Sequence, residues 1–195
     1  MDKILENYKL EGELLNIHTY PDPVLITVAK EVTDFNDELQ TLCLNMLYTM
    51  YHAPGIGLAA PQIGLSKRIF VIDTDYDREE TEEDSGIYDL SNFNPRIFIN
   101  PKFIETEGET TYQEGCLSLP GIFEDVKRFD NITIQYQNLS GEKQQIKADD
   151  LLSICIQHEN DHLEGIVFIE RLSQLKKTFL KKKLIKAKKE KSHNL

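Results

Sequence analysis

His158-Glu159-Asn160-Asp161-His162 places two imidazoles four positions apart, with a carboxylate directly after the first. An α-helix turns about 100° per residue, so both rings leave one face a single turn apart. Two imidazoles at that spacing bind one metal ion, and the adjacent glutamate reaches a water on it. A catalytic metal needs a third protein ligand and one open position. The downstream carboxylates are poor candidates: Glu164 lies two positions past His162, Glu190 sits among lysines, and nothing singles out Glu170. Upstream, Glu114-Gly115-Cys116-Leu117-Ser118 offers a thiolate, a strong ligand for Zn²⁺ or Fe²⁺. Cys116 is therefore the candidate third ligand. Cys155, three residues before His158, shares its side of the helix and reads as a pocket wall rather than a ligand. A lone buried histidine is more often a packing residue; the pair with Glu159 and a thiol turns the reading toward metal chemistry.

These side chains need elements to carry them. Asp149 is a good N-cap, the apolar run Leu151, Leu152, Ile154, Cys155, Ile156 predicts a buried helix, and Gly165 supplies its stop. Asn36 to His52 predicts an amphipathic helix whose stripe includes Leu39, Cys43, Met46, Leu47 and Met50, so Cys43 is core. Pro54-Gly55 ends that helix, and a glycine-rich loop runs to Gln62. Arg68 to Asp73 reads as a buried strand, and Arg96 to Glu107 as a strand pair or one strand bent at Pro101. Asn131 to Gln137 and Lys143 to Ala148 form a hairpin across Asn138-Leu139-Ser140-Gly141. The acid-rich stretch Asp73 to Asn94 cannot bury much and predicts a solvated, mobile loop. Residues 1–20 read as a polar, irregular extension, and Ser173 to Lys191 as a last helix. The element order predicts an α+β fold: antiparallel sheets packed around a central helix carrying the HExxH motif, with a C-terminal helix. The expected division is a single catalytic domain over 1–175 and a lysine-rich helix or tail over 176–195.

The chain has 195 residues, 40% hydrophobic and 28% charged, enough for one domain with a good core. No apolar run approaches the roughly 20 residues of a membrane span, and the N-terminus lacks the basic and apolar regions of a signal peptide. Three cysteines without framework spacing point to a reducing cytoplasm. Residues 176–195 hold nine lysines and one acid, while the rest carries 13 basic and 32 acidic residues. An acidic body at −19 thus carries a basic tail at +8, for −11 overall.

Three segments, Gly55-Ile56-Gly57-Leu58-Ala59-Ala60-Pro61-Gln62, Glu114-Gly115-Cys116-Leu117-Ser118 and His158-Glu159-Asn160-Asp161-His162, together resemble the bacterial peptide deformylases, whose motifs have the forms GφGφAAxQ, EGCφS and HEφDH. The resemblance runs from about Tyr20 to Leu172. It departs at Asn160, where the family carries an apolar residue. That position lies roughly 200° around the helix from His158, so the expected cost is helix propensity, not chemistry. The resemblance implies removal of the N-formyl group from the starting methionine of new polypeptides. It implies Cys116, His158 and His162 as metal ligands and Glu159 as general acid and base. The Leu117 backbone N–H and the Gln62 amide would stabilise the oxyanion. Gly55, Gly57 and Gly115 would admit the peptide backbone beside Ile56, Leu151, Ile154 and Cys155, which with Leu117 would receive the methionine side chain. A Glu114–Arg128 pair would brace the cysteine segment, and Asp161 would anchor the helix or a nearby loop. The cofactor implied is one divalent ion, Fe²⁺ in the cell, with Zn²⁺, Ni²⁺ and Co²⁺ as possible occupants.

Three further readings remain open on sequence. A zinc endopeptidase would share HExxH and differ in its third ligand. A nucleic-acid- or ribosome-binding protein is suggested by the lysine tail, although Glu159 beside an open metal position has no use in mere binding. An inactive relative would have lost a motif residue, and none is lost. The expected partners are N-formylmethionyl nascent peptides and, through the lysines, the ribosome or its RNA, with no membrane.

Overall fold

The structure, a computed structural model, describes residues 3–6, 8–82 and 86–193. The expectations for Met1, Asp2 and Asn7, for 83–85 of the acid-rich stretch and for the last two residues lie outside the described residues.

Helix α1, Asp37–His52, begins where Asn36 Oδ1 accepts from Leu39 N at 3.0 Å. Its predicted stripe is buried, with Cys43, Met46, Leu47 and Met50 fully enclosed. The glycine-rich segment contains a short strand, β1 (Gly57–Ala59), followed by a 3₁₀ turn, Ala60–Ile63. It is thus not simply a loop. Strand β2 (Ile69–Ile72) pairs antiparallel with β1. Strands β3 (Asp77–Glu80) and β4 (Tyr88–Ser91) form a hairpin. Here the acid-rich stretch departs from the expected loop. Backbone pairing needs no burial, and the Arg78 guanidinium lies 3.8 Å from the Tyr88 ring centroid. Strand β5 (Arg96–Glu107) is one long strand, and its register shifts between Ile99 and Lys102, at the predicted bend. A second hairpin, β6 (Thr110–Gly115) and β7 (Phe123–Arg128), has no counterpart in the sequence reading. Strands β8 (Asn131–Gln137) and β9 (Lys143–Ala148) form the expected hairpin.

The main sheet has the order β1-β2-β5-β8-β9, antiparallel throughout. Along β2, Ile69 and Val71 join the core beneath α1, whereas Phe70 and Ile72 join the core on the opposite face. That period-two split is why the strand is apolar at every position. Fully burying each such side chain stabilises by roughly 1.5–3 kcal/mol. The opposite face receives helix α2, Asp150–Leu163, through Cys155, Ile156 and Leu163. Asp149 holds the N-cap position but makes no side-chain cap bond. Gly165 follows the helix at φ 68°, the left-handed conformation that ends it. Helix α3, Gln174–His193, docks through Leu180 and Leu184 on a third core with Tyr20, Leu119 and Phe168. The N-terminal segment is irregular after a 3₁₀ turn at Lys3–Leu5, yet Leu5, Tyr8, Leu10 and Leu15 pack beneath α1. Among the described residues no helix is long and apolar enough to cross a membrane.

Candidate active site

The three motif segments come from three different elements and converge at α2. β1 is an edge strand of the main sheet that packs on α2, and β6, which ends at Gly115, reaches α2 through the Glu114–His158 bond. Cys116 Sγ, His158 and His162 bring ligand atoms within 4.8 Å of one another. That spacing fits one divalent cation bonded at about 2.0–2.3 Å to each donor. Cys116 Sγ lies 3.3 Å from His162 Nε2. Burial holds the His162 imidazole well below its ordinary pKa, so it stays in the neutral form that a metal ligand needs.

His158 is oriented from behind. Its Nδ1 lies 2.7 Å from Glu114 Oε2, which leaves Nε2 for the cluster. Burial alone would raise the Glu114 pKa, but hydrogen bonds from Arg128 and His158 outweigh it and hold the carboxyl at about 2. The Arg128 guanidinium forks onto Glu114 at 2.6 and 2.9 Å, which is the predicted pair. It also donates to Asp161 Oδ2 at 2.6 Å. Asp161 thus anchors α2 to β7. Arg171 also grips Asp161, and no spacing rule in the sequence pointed to it.

Glu159 is 4% exposed. Burial pushes its carboxyl up to about 7, a rise that His158 only partly offsets. A carboxyl at that value exchanges protons near neutrality. Its position also explains Gly57: a Cβ there would stand 2.4 Å from Glu159 Oε1. The glycine is needed for the carboxylate, a reason distinct from the expected approach of a peptide. At Gly115 the same place is filled by the Phe123 ring, 2.6 Å away.

Gln62 is 1% exposed and fixed at both ends. Its Oε1 accepts from Ala59 N at 2.8 Å, and Nε2 donates to Ser118 Oγ at 3.3 Å and lies 3.6 Å from Cys116 Sγ. The N-terminal segment braces the same two loops, since His18 N donates to Gln62 O at 2.7 Å and Tyr20 N to Ser118 O at 2.9 Å.

A cavity of about 490 Å³ opens over this centre, and its lining includes Gly55, Ile56, Gly57, Gly115, Leu117, Leu151, Ile154, Cys155, His158 and Glu159. Every substrate-side residue singled out in the sequence borders it. Tyr112 and Phe123 also border it and were missed together with their hairpin. Burial and the adjacent Glu159 raise the Cys155 pKa, so it stays a thiol; its Sγ lies 3.6 Å from Ile56 O. Asn160 lies on the far side of α2, as expected, but it is 8% exposed. Its Oδ1 finds no hydrogen-bond partner among the described residues.

The family described as polypeptide deformylase matches residues 14–178. The peptide deformylase of Neisseria meningitidis serogroup B is 48% identical over 176 residues, spanning 90% of this chain and 97% of that one. That of Erythrobacter litoralis is 50% identical over 181 residues, with 85% and 93% covered. The crystal structure of a peptide deformylase from Legionella pneumophila superposes with a TM-score of 0.78 at 37% identity, covering 92% of this chain and 98% of that one. One from Synechococcus elongatus in complex with actinonin gives 0.73 at 41% identity, covering 87% and 86%. With that family spanning most of the chain and relatives near half identity along it, this chain belongs to the polypeptide deformylases, metalloenzymes that remove the N-formyl group from nascent polypeptides.

Proposed function

We propose that Cys116, His158 and His162 hold the divalent ion of this deformylase and that Glu159 moves the protons. The observation that carries the proposal is the approach of three ligand atoms to within 4.8 Å of one another, beside a buried carboxyl at the floor of the cavity. When bound, the cation acidifies water and polarises a carbonyl oxygen. Glu159 takes the proton of the attacking water and delivers it to the departing amine nitrogen. The formyl carbon gains an oxygen, its C–N bond breaks, and formate and a free methionine amine leave. The Leu117 N–H and the Gln62 amide donate to the oxyanion. Gln62 suits that task because its amide is already fixed at Ala59 and Ser118. Ile56, Leu117, Leu151, Ile154 and Cys155 receive the methionine side chain. Gly55, Gly57 and Gly115 carry the flanking backbone to which an extended peptide pairs.

The metal in the cell is Fe²⁺ in this proposal, with Zn²⁺, Ni²⁺ or Co²⁺ able to replace it, and the enzyme works in the cytoplasm. The lysine helix attaches the acidic body to ribosomal RNA. The test is hydrolysis of formyl-Met-Ala-Ser with metal analysis of anaerobically purified protein. Stoichiometric Fe²⁺ and activity are expected in the wild type. Cys116→Ala, His158→Ala and His162→Ala should each hold metal far more weakly. Tightly held metal in Cys116→Ala would remove the thiolate from the ligand set.

A further inference from the structure

We propose that Arg171 is a positioning residue for His158, acting through the buried chain Asp161–Arg128–Glu114. This rests on the proposal that His158 is a metal ligand. Arg171 lies in the 3₁₀ turn Phe168–Arg171, between α2 and α3. Its Nε donates to Asp161 Oδ2 at 2.5 Å, and its Nη2 donates to Asp161 Oδ1. Arg128 Nη1 reaches the same Oδ2 at 2.6 Å, and the rest of its fork holds Glu114 at 2.6 and 2.9 Å. Glu114 Oε2 closes the chain 2.7 Å from His158 Nδ1. Five side chains thus run unbroken from the protein surface to the metal-facing imidazole.

The charges explain why the outer member matters. Asp161 and Glu114 are two carboxylates with side chains 5% and 4% exposed. Arg128 alone would have to serve both. Arg171 brings a second guanidinium, so two anions meet two cations and Arg128 is free to hold Glu114 in its forked geometry. Glu114 in turn sets the tautomer and tilt of His158. His162 has no equivalent support, because its Nδ1 finds no partner among the described residues. Among the described residues, support from behind the cluster therefore reaches His158 alone, through this one chain. The turn that carries Arg171 is itself held by α3, since Lys177 and Lys181 both pair with Glu170. The Arg171 side chain is 42% exposed, so truncating it opens no cavity in the core.

The experiment compares wild type, Arg171→Gln and Arg171→Lys, each loaded with Zn²⁺. It measures Zn²⁺ release to excess chelator, thermal midpoints of the metal-free proteins, and kcat and KM on a formyl-Met peptide. Arg171→Gln should release Zn²⁺ about tenfold faster, the usual scale for a lost support behind a ligand. Arg171→Lys, which keeps the charge and loses the fork, should fall between the two. KM should change little relative to kcat. Release at the wild-type rate in Arg171→Gln would overturn the proposal, whatever the thermal midpoint does, and leave Arg171 a structural anchor. Equal release from the Gln and Lys variants would overturn it too, because the retained charge of lysine should matter as well as the lost fork. If Arg171→Gln does not fold, a wild-type release rate in Arg171→Lys decides against it. His158→Ala run alongside separates the two layers: wild-type retention of Zn²⁺ there would refute the ligand assignment itself.

Discussion

Helices α2 and α3 are both rich in polar and charged residues, and they use them in opposite ways. In α2 the six consecutive residues Gln157 to His162 are all buried. The partners of His158 and Asp161 come from other elements: Glu114 on β6, Arg128 on β7 and Arg171 in the turn after α2. In α3 Lys182, Lys183 and Lys186 are exposed, Lys177 and Lys181 lie half-buried against Glu170, and Leu180 and Leu184 are its buried side chains among the described residues. A buried charge is tolerable only when its partners are supplied, so the positions of His158 and Asp161 are dictated by theirs. A solvated charge makes no such demand. Charge count thus says little about a helix, whereas the partners of each charge say much.

The comparison breaks most visibly if Arg128 is removed. Arg128→Ala strands two buried carboxylates and should cost about 3–5 kcal/mol of stability, read by chemical denaturation. A loss under about 1 kcal/mol would mean that α2 does not depend on its partners. Next comes Glu159→Ala. Turnover should fall at least about 100-fold, with metal content and thermal midpoint retained, if the carboxylate handles protons and does not ligate, as proposed. Loss of metal in that variant would make Glu159 a ligand, and near wild-type turnover would remove it from the mechanism. Smaller again is Leu184→Ala on α3. Burial at 5% exposure on the edge of a core places the loss at the low end of the Leu→Ala range, about 2 kcal/mol. An unchanged denaturation midpoint would show that α3 is not docked as described. The same burial means that removing 176–195 outright deletes part of a core as well as a set of charges.

Where sequence reading worked and where it failed follows from the same physics. α1 was legible because one apolar stripe meets one core. β2 was legible because both its faces are covered. The grouping of Cys116, His158 and His162 was legible because ligand chemistry needs particular residue types in a particular order. The β6–β7 hairpin was not, since its inward positions are Glu114, Val126 and Arg128. A period-two pattern exists there only if a glutamate and an arginine count as buried, and they do so only because each is paired, with the other and with α2. The β3–β4 hairpin was missed for a different reason. Its acids do stay in solvent, but its base is tied down by Asp73, which accepts from Tyr51 Oη at 2.6 Å and from Asn94 N at 2.7 Å. Such bonds join residues about twenty positions apart and leave no local signal.

The smallest effect on fold and chemistry should come from the outward lysines of α3. Lys182, Lys183 and Lys186 are exposed, and among the described residues their one ion pair is the 3.8 Å contact of Lys186 with Glu190. Exposed pairs contribute little, so Lys182→Gln, Lys183→Gln and Lys186→Gln combined should change stability by no more than about 0.5 kcal/mol. Hydrolysis of short formyl peptides should be unchanged, since the three side chains lie outside the cavity lining. Attachment to ribosomes is another matter. If the basic helix carries the acidic body to RNA, these three charges supply phosphate contacts and their counterion release. Co-sedimentation of the triple variant at low salt should then be weaker than that of the wild type, and its salt dependence shallower. Substitution is the cleaner instrument here, because it leaves Leu180 and Leu184 in place. Equal binding of both proteins across the salt range would reduce the outward face of α3 to a solubilising surface, with its inner face alone serving the fold.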